Sequence, residues 1–147
     1  FGPEGMLALL DVIAIIPEGI PVILDAKRGD IADTAEAYAR AAFRTLGADA
    51  ITVSPYLGSD ALAPFIARAE NGVFVLCKTS NPGADEFQGL ALQSGAGRPL
   101  YAEVARHARA WNRLGNVGLV VGATDTAALA QVQVTIDNAA RSPAPAR

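Results

Sequence analysis

With 147 residues, 51% of them hydrophobic and 18% charged, the chain is about one globular domain and falls outside the disordered and fibrous classes. A formal net charge of -3 with no basic patch argues against a nucleic-acid partner, and no apolar run approaches the roughly 18 residues of a membrane span. One cysteine, Cys77, permits neither an internal disulfide nor a cysteine metal cage, so a reducing, cytoplasmic setting is expected.

The chain opens at Phe1 rather than at a methionine and runs straight into a helical pattern, so a fragment is expected. The apolar start lacks a basic n-region and reads as part of the fold. Residues 5–16 read as a largely buried helix, ended by Pro17, Gly19 and Pro21. The apolar run 22–27 reads as a buried strand. Asp30 or Asp33 is expected to cap the next helix, 31–46, whose Ala35, Tyr38, Ala39, Ala42, Phe43 and Leu46 recur at helical spacing before Gly47.

Residues 49–54 form a second strand, ending in Pro55-Tyr56-Leu57-Gly58, and Ser59 is expected to cap a helix reaching Glu70. Strand 73–78 follows the Asn71-Gly72 turn. The stretch 79–98 is too long for a routine strand-to-helix connection. Helix 99–114, strand 117–122 and helix 126–138 complete the domain, and residues 139–147, rich in proline and alanine, read as a disordered tail.

One helix followed by four strand–helix units, with nearly continuous apolar strands, implies a parallel sheet covered by helices. A (β/α)₈ barrel and a doubly wound sheet both fit. In either, chemistry belongs at the carboxyl ends of the strands. Those ends read Asp25/Lys27/Asp30, Ser54-Pro55-Tyr56, Lys78-Thr79-Ser80-Asn81 and Gly122-Ala123-Thr124. Neither a Gly-x-Gly-x-x-Gly nor a Walker-type segment is present, so a dinucleotide site is not supported. A barrel of this kind takes about 250 residues, so four strands are half of one.

The first strand carries the densest chemistry. Side chains alternate along a strand, which puts Asp25 and Lys27 on one face with Ile23. A lysine held between Asp25 and Asp30 keeps its proton, which suits a proton donor or a cation stabilising a carbanion and not a Schiff-base nucleophile. Carboxylates beside it would repel a bound anion, an arrangement useful where a substrate carboxylate leaves as carbon dioxide. A plain structural ion pair with Asp30 capping a helix explains the spacing equally well, and Asp-x-Lys-x-x-Asp also suits a magnesium site.

The run Val22-Ile23-Leu24-Asp25-Ala26-Lys27-Arg28-Gly29-Asp30-Ile31-Ala32-Asp33-Thr34-Ala35 resembles the signature of the orotidine 5′-phosphate decarboxylase family. Hexulose-phosphate synthases and ketogulonate-phosphate decarboxylases share Asp-x-Lys-x-x-Asp but not usually the Ile-x-x-Thr continuation. Segments 52–60, 75–83 and 120–124 resemble successive strand ends of the family's longer bacterial branch, and the likeness runs from about residue 5 to about residue 130.

The resemblance implies a (β/α)₈ TIM barrel, represented here by about four central βα units, a homodimer with shared sites, and no cofactor or metal. It implies decarboxylation of orotidine 5′-phosphate to UMP and carbon dioxide, in the synthesis of pyrimidines. Lys27 would stabilise and protonate the C6 carbanion, with Asp25 beside the departing carboxylate. Asp30, Ile31 and Thr34 would reach the neighbouring subunit's site, and Ser80 would hydrogen-bond the pyrimidine. The family's ribose-binding aspartate, its second-strand lysine and its phosphate-gripping segments have no counterpart here, and residues 131–147 are expected to diverge from it. The alternatives are a magnesium-dependent sugar-phosphate enzyme of the same superfamily and an inactive partial barrel.

His107 and Trp111 read as packing residues of a helix, Cys77 as a small core residue, Lys78 as facing the interior or pairing locally, Arg28 as a dimer-interface charge, and Asp85-Glu86 as solvated loop.

Overall fold

The computed structural model describes residues 2–93 and 97–141. Helix α1 spans Gly2–Ala14, followed by β1 (Ile23–Arg28), α2 (Ala32–Arg40) with a π-helical turn at Ala41–Thr45, and β2 (Ala50–Val53). Then come α3 (Ser59–Ile66), β3 (Gly72–Lys78), a 3₁₀ turn at Pro82–Glu86, α4 (Leu100–Trp111), β4 (Val117–Val121) and α5 (Thr126–Arg141).

The four strands form one parallel sheet in the order β1-β2-β3-β4. That order decides between the two predicted architectures. A doubly wound sheet reverses direction at a switch point, whereas a barrel adds each strand beside the last. The packing agrees. Leu24, Ile51, Val73 and Val117 pair directly across the sheet and therefore share one face. On that face the strands meet Ala35, Ala39 and Ala42 of the α2 region and Leu62 and Phe65 of α3. Cys77 joins Tyr101, Ala102 and Ala105 of α4 and Ala128 and Val132 of α5 in a second cluster. Alanines at helical spacing let the helices sit close to the β-branched strand residues. The opposite face carries Ile23, Asp25, Thr52 and Phe74, with Gly118 making room: a Cβ there would lie 2.8 Å from the Phe74 ring.

The elements match the sequence expectations more closely than their ends do. Helix α1 runs from Gly2 to Ala14, not 5–16, and none of its residues is buried. Ile15, just beyond it, is 79% exposed. Its apolar character calls for cover, but no surface of the described chain closes over it. The predicted aspartate cap of α2 is replaced by Ile31, which makes no side-chain cap bond; Asp33 lies in the first turn, beside the positive end of the helix dipole. Ser59 is the first residue of α3, and Gly58 (φ +95°) takes the cap position because the chain turns there through the left-handed region. Helix α3 stops at Ile66, short of Glu70, and α4 stops at Trp111, short of 114.

Helix α5 reaches Arg141, and the remainder of the expected tail, 142–147, lies outside the described residues. The long stretch after β3 is not featureless. It contains the 3₁₀ turn and an antiparallel bridge from Ala91 to Pro99, and the Gln88 carboxamide accepts the Thr79 backbone N–H at 2.8 Å.

Leu62 is fully buried, so Leu62→Ala should cost about 2–5 kcal/mol in a urea melt. Ile15→Ala in the same assay should stay within about 0.5 kcal/mol. Burial pushes the Cys77 thiol up to about 12, and its Sγ donates to the Tyr101 carbonyl at 3.2 Å. The folded thiol thus stays neutral where an unfolded one ionises. Iodoacetamide at pH 8 should spare native Cys77 and label it in urea, and stability should decline as pH rises past the ordinary thiol value of 9.0.

Candidate active site

The carboxyl end of β1 departs from a regular strand. Leu24 pairs with Ile51 and Arg28 with Val53, so Asp25, Ala26 and Lys27 together oppose the single residue Thr52. This is a bulge. Lys27 sits at φ +50°, a conformation that costs a non-glycine residue about 1 kcal/mol or more.

The bulge gathers the charges. Lys27 Nζ lies 2.7 Å from Asp25 Oδ2. The Thr52 hydroxyl donates to Asp25 Oδ1 at 2.8 Å and accepts the Lys27 backbone N–H at 2.9 Å. The ammonium beside Asp25, and after it the Thr52 hydroxyl, hold that carboxyl below the ordinary aspartate value of 3.8. Both charged side chains are open to solvent, 51% exposed for Lys27 and 65% for Asp25, and among the described residues the core helices pack on the opposite face of the sheet.

The other predicted site residues are spread around this point. Asp30 is not brought to Lys27; its Oδ1 accepts the Ile31 backbone N–H at 2.8 Å. The expectation of a lysine held between two carboxylates is therefore corrected within this chain to a lysine paired with one. Lys27 at φ +50° breaks the regular alternation of the strand before Asp30 is reached. Ile31 is 60% exposed at the start of α2, and Thr34 is exposed in its first turn, with its N–H bonded to the Ile31 carbonyl. Ser80 lies exposed just past β3, close to the end of β4: a Cβ at Gly122 would come within 3.1 Å of Ser80 Cβ.

Three further side chains fix the strand ends. Thr52 was not singled out in the sequence, although a hydroxyl inside Ala50-Ile51-Thr52-Val53 was the available signal. Asp85, expected in a solvated loop, is 79% exposed there and also pairs at 2.7 Å with Lys78, whose side chain is almost wholly buried. A buried ammonium without a carboxylate is costly, and this supplies one. Arg28, expected at an interface, lies 4.7 Å from the centre of the Tyr38 ring of its own chain.

His107 and Trp111 stack on each other in α4, away from β1, with ring centroids 5.7 Å apart. A cavity of about 860 Å³ opens between α3, α4 and the segment around Phe87, and none of the six predicted site residues lines it. Among the described residues, no group of three or more His, Cys, Asp or Glu side chains gathers where a metal ion could be held.

Residues 4–140 match the sequence model of the Orotidine 5'-phosphate decarboxylase / HUMPS family. The chain belongs to that family. The match extends ten residues past the point near 130 where the likeness was expected to end. The chain is 60% identical over 133 residues to the orotidine 5'-phosphate decarboxylase of Roseiflexus castenholzii, covering 90% of this chain and 48% of that protein. It is 60% identical over 134 residues to the Thermomicrobium roseum protein of the same name, covering 90% of this chain and 47% of that one. Among solved structures it resembles the Leishmania donovani OMP decarboxylase, with a TM-score of 0.86 and 57% identity over 92% of this chain and 53% of that chain. The chain spans about half the length of the curated relatives it matches. The β1 bulge carries Asp25 and Lys27 of the Asp-x-Lys-x-x-Asp run, and Asp30 follows the end of β1.

A depressed carboxyl adds stability above its unfolded value, and the gain disappears as pH falls through the lower folded value. Lys27→Met should therefore raise the Asp25 titration midpoint toward 3.8 in a carbon-detected NMR titration. An unmoved midpoint would contradict the ion pair. The stability difference between the parent and Asp25→Asn should be widest above about pH 4 and close on acidification.

Proposed function

We propose that this chain is the central half of a barrel that decarboxylates orotidine 5′-phosphate to UMP and carbon dioxide. The observation that carries the reading is the Asp25–Lys27 pair, 2.7 Å apart at the carboxyl end of a parallel strand. Loss of carbon dioxide leaves an electron pair on C6 of the pyrimidine. The Lys27 ammonium stabilises that charge and gives C6 its proton, becoming a neutral amine that solvent reprotonates. Asp25 lies beside the departing carboxylate and orients the ammonium.

In this reading Ser80 hydrogen-bonds the pyrimidine. Asp30, Ile31 and Thr34 serve the site of a second subunit, which accounts for Asp30 turning away from its own Lys27. The assembly is a cytoplasmic homodimer that uses no cofactor or metal. The identity to decarboxylases on both sides of the Asp-x-Lys-x-x-Asp run favours this substrate over a sugar phosphate.

Residues 4–140 grafted in place of the matching segment of the Roseiflexus castenholzii relative should support UMP formation from orotidine 5′-phosphate. Lys27→Ala in the graft should lower kcat about 100- to 10,000-fold. UMP formation unchanged by that substitution would remove the assignment. Turnover of a sugar phosphate that EDTA abolishes would favour the magnesium-dependent alternative. The 147-residue chain by itself should be weak or inactive, because the family's phosphate-gripping segments and second-strand lysine are not among its residues; robust turnover by the isolated chain would refute this.

A further inference from the structure

We propose that Thr52 is a positioning residue for the reacting pair, its one hydroxyl fixing both the Lys27 backbone and the Asp25 carboxylate opposite the bulge in β1. The inference goes beyond the reading of Asp25 and Lys27 as the reacting pair and rests on it. The Lys27 N–H lies inside the register break between Leu24 and Arg28, where the backbone ladder of β1 with β2 is interrupted. A side-chain hydroxyl of β2 serves it there: Thr52 accepts the N–H at 2.9 Å and spends its own proton on Asp25 Oδ1 at 2.8 Å.

A hydroxyl is one donor and two acceptors, so both bonds are made at once and neither competes. Valine has the same shape and neither capacity. Serine has both and lacks only the methyl. Thr52 is itself 5% exposed, between the fully buried Ile51 and Val53, so its hydroxyl is held by a strand whose residues are all buried. Asp25 accepts from Thr52 on one oxygen and from Lys27 on the other. Losing the first bond frees the carboxylate to rotate and lets the left-handed Lys27 relax. The ammonium would then lose both of its fixed references.

The test compares Thr52→Val and Thr52→Ser in the isotope-labelled 147-residue chain. The valine variant should exchange the Lys27 amide about tenfold faster while β2 and β3 amides keep their protection. It should also raise the Asp25 titration midpoint, and the serine variant should restore both. A Lys27 amide as protected in the valine variant as in the parent would overturn the proposal. So would equal changes in the two variants, or protection lost throughout β2 and β3 in both, since either marks a packing role. In the grafted barrel the valine variant should lower kcat about 10- to 100-fold with KM little changed, and serine should recover most of it. A grafted parent that makes no UMP would count against the proposed reaction alone, because the amide and carboxylate readouts judge the positioning role without turnover.

Discussion

The carboxyl end of β1 holds Asp25 and Lys27 together on an interrupted strand. The ladder to β2 breaks for three residues and resumes at Arg28. The break leaves a backbone N–H without a strand partner and a lysine in the left-handed region. Each is destabilising by itself, and together they persist only where neighbours over-determine them. Those neighbours are all on β2. Ile51 and Val53 anchor it in the core, Thr52 faces the bulge, and the Arg28 carbonyl accepts the Ser54 N–H at 2.7 Å as pairing resumes. The core is thus what allows the edge of the sheet to be irregular.

The two lysines at strand ends show how differently one charge can be used. Lys78 is buried and meets a carboxylate from the following loop, so its pair ties that loop to the sheet. β3 shifts register against β4 between Leu76 and Lys78, much as β1 does against β2. Lys27 is half exposed, and a pair open to water adds little to stability. Packing therefore does not explain why Asp25 and Lys27 are held together by a strained backbone. A pair that contributes little to the fold yet is held by three separate constraints (the bulge, the Thr52 hydroxyl and the positive φ) is better explained by what it does to a ligand.

The sheet was legible because its signals are local. Apolar runs with β-branched residues mark each strand, and the alternation puts Asp25 and Lys27 on one side whatever the rest of the fold does. Strand order was not local: the strand pattern left a barrel and a doubly wound sheet open, the family resemblance pointed to the barrel, and the observed sequential pairing agrees with it. The site was legible as a cluster of residue types and not as a geometry. Nothing in Asp-Ala-Lys announces a bulge, because the partner that stabilises it lies 25 residues away in sequence. The absence of an Asp30–Lys27 contact within the chain was hidden for the same reason: spacing along an extended chain does not reveal a left-handed residue. Asp85 is solvated as expected, and only its pairing with Lys78 was hidden, because that partner is set by tertiary folding. The apolar pattern of α1 suggested a largely buried helix, and none of its residues is buried, because a pattern records apolar character and not which surface covers it.

One face of the sheet carries helices, and the other carries the charged pair in contact with solvent. This arrangement sets how strong the pair's electrostatics can be. Between charges 2.7 Å apart the Coulomb energy scales inversely with the effective dielectric, so the same geometry acts several-fold more strongly in an enclosed site than beside bulk water. The bulge fixes where the charges are, and whatever closes over this face fixes how much they matter. In a barrel the closing surfaces are the remaining strands, the strand-end loops and the substrate. Position and field strength therefore come from different parts of the fold, and a half-barrel can hold the first while lacking the second.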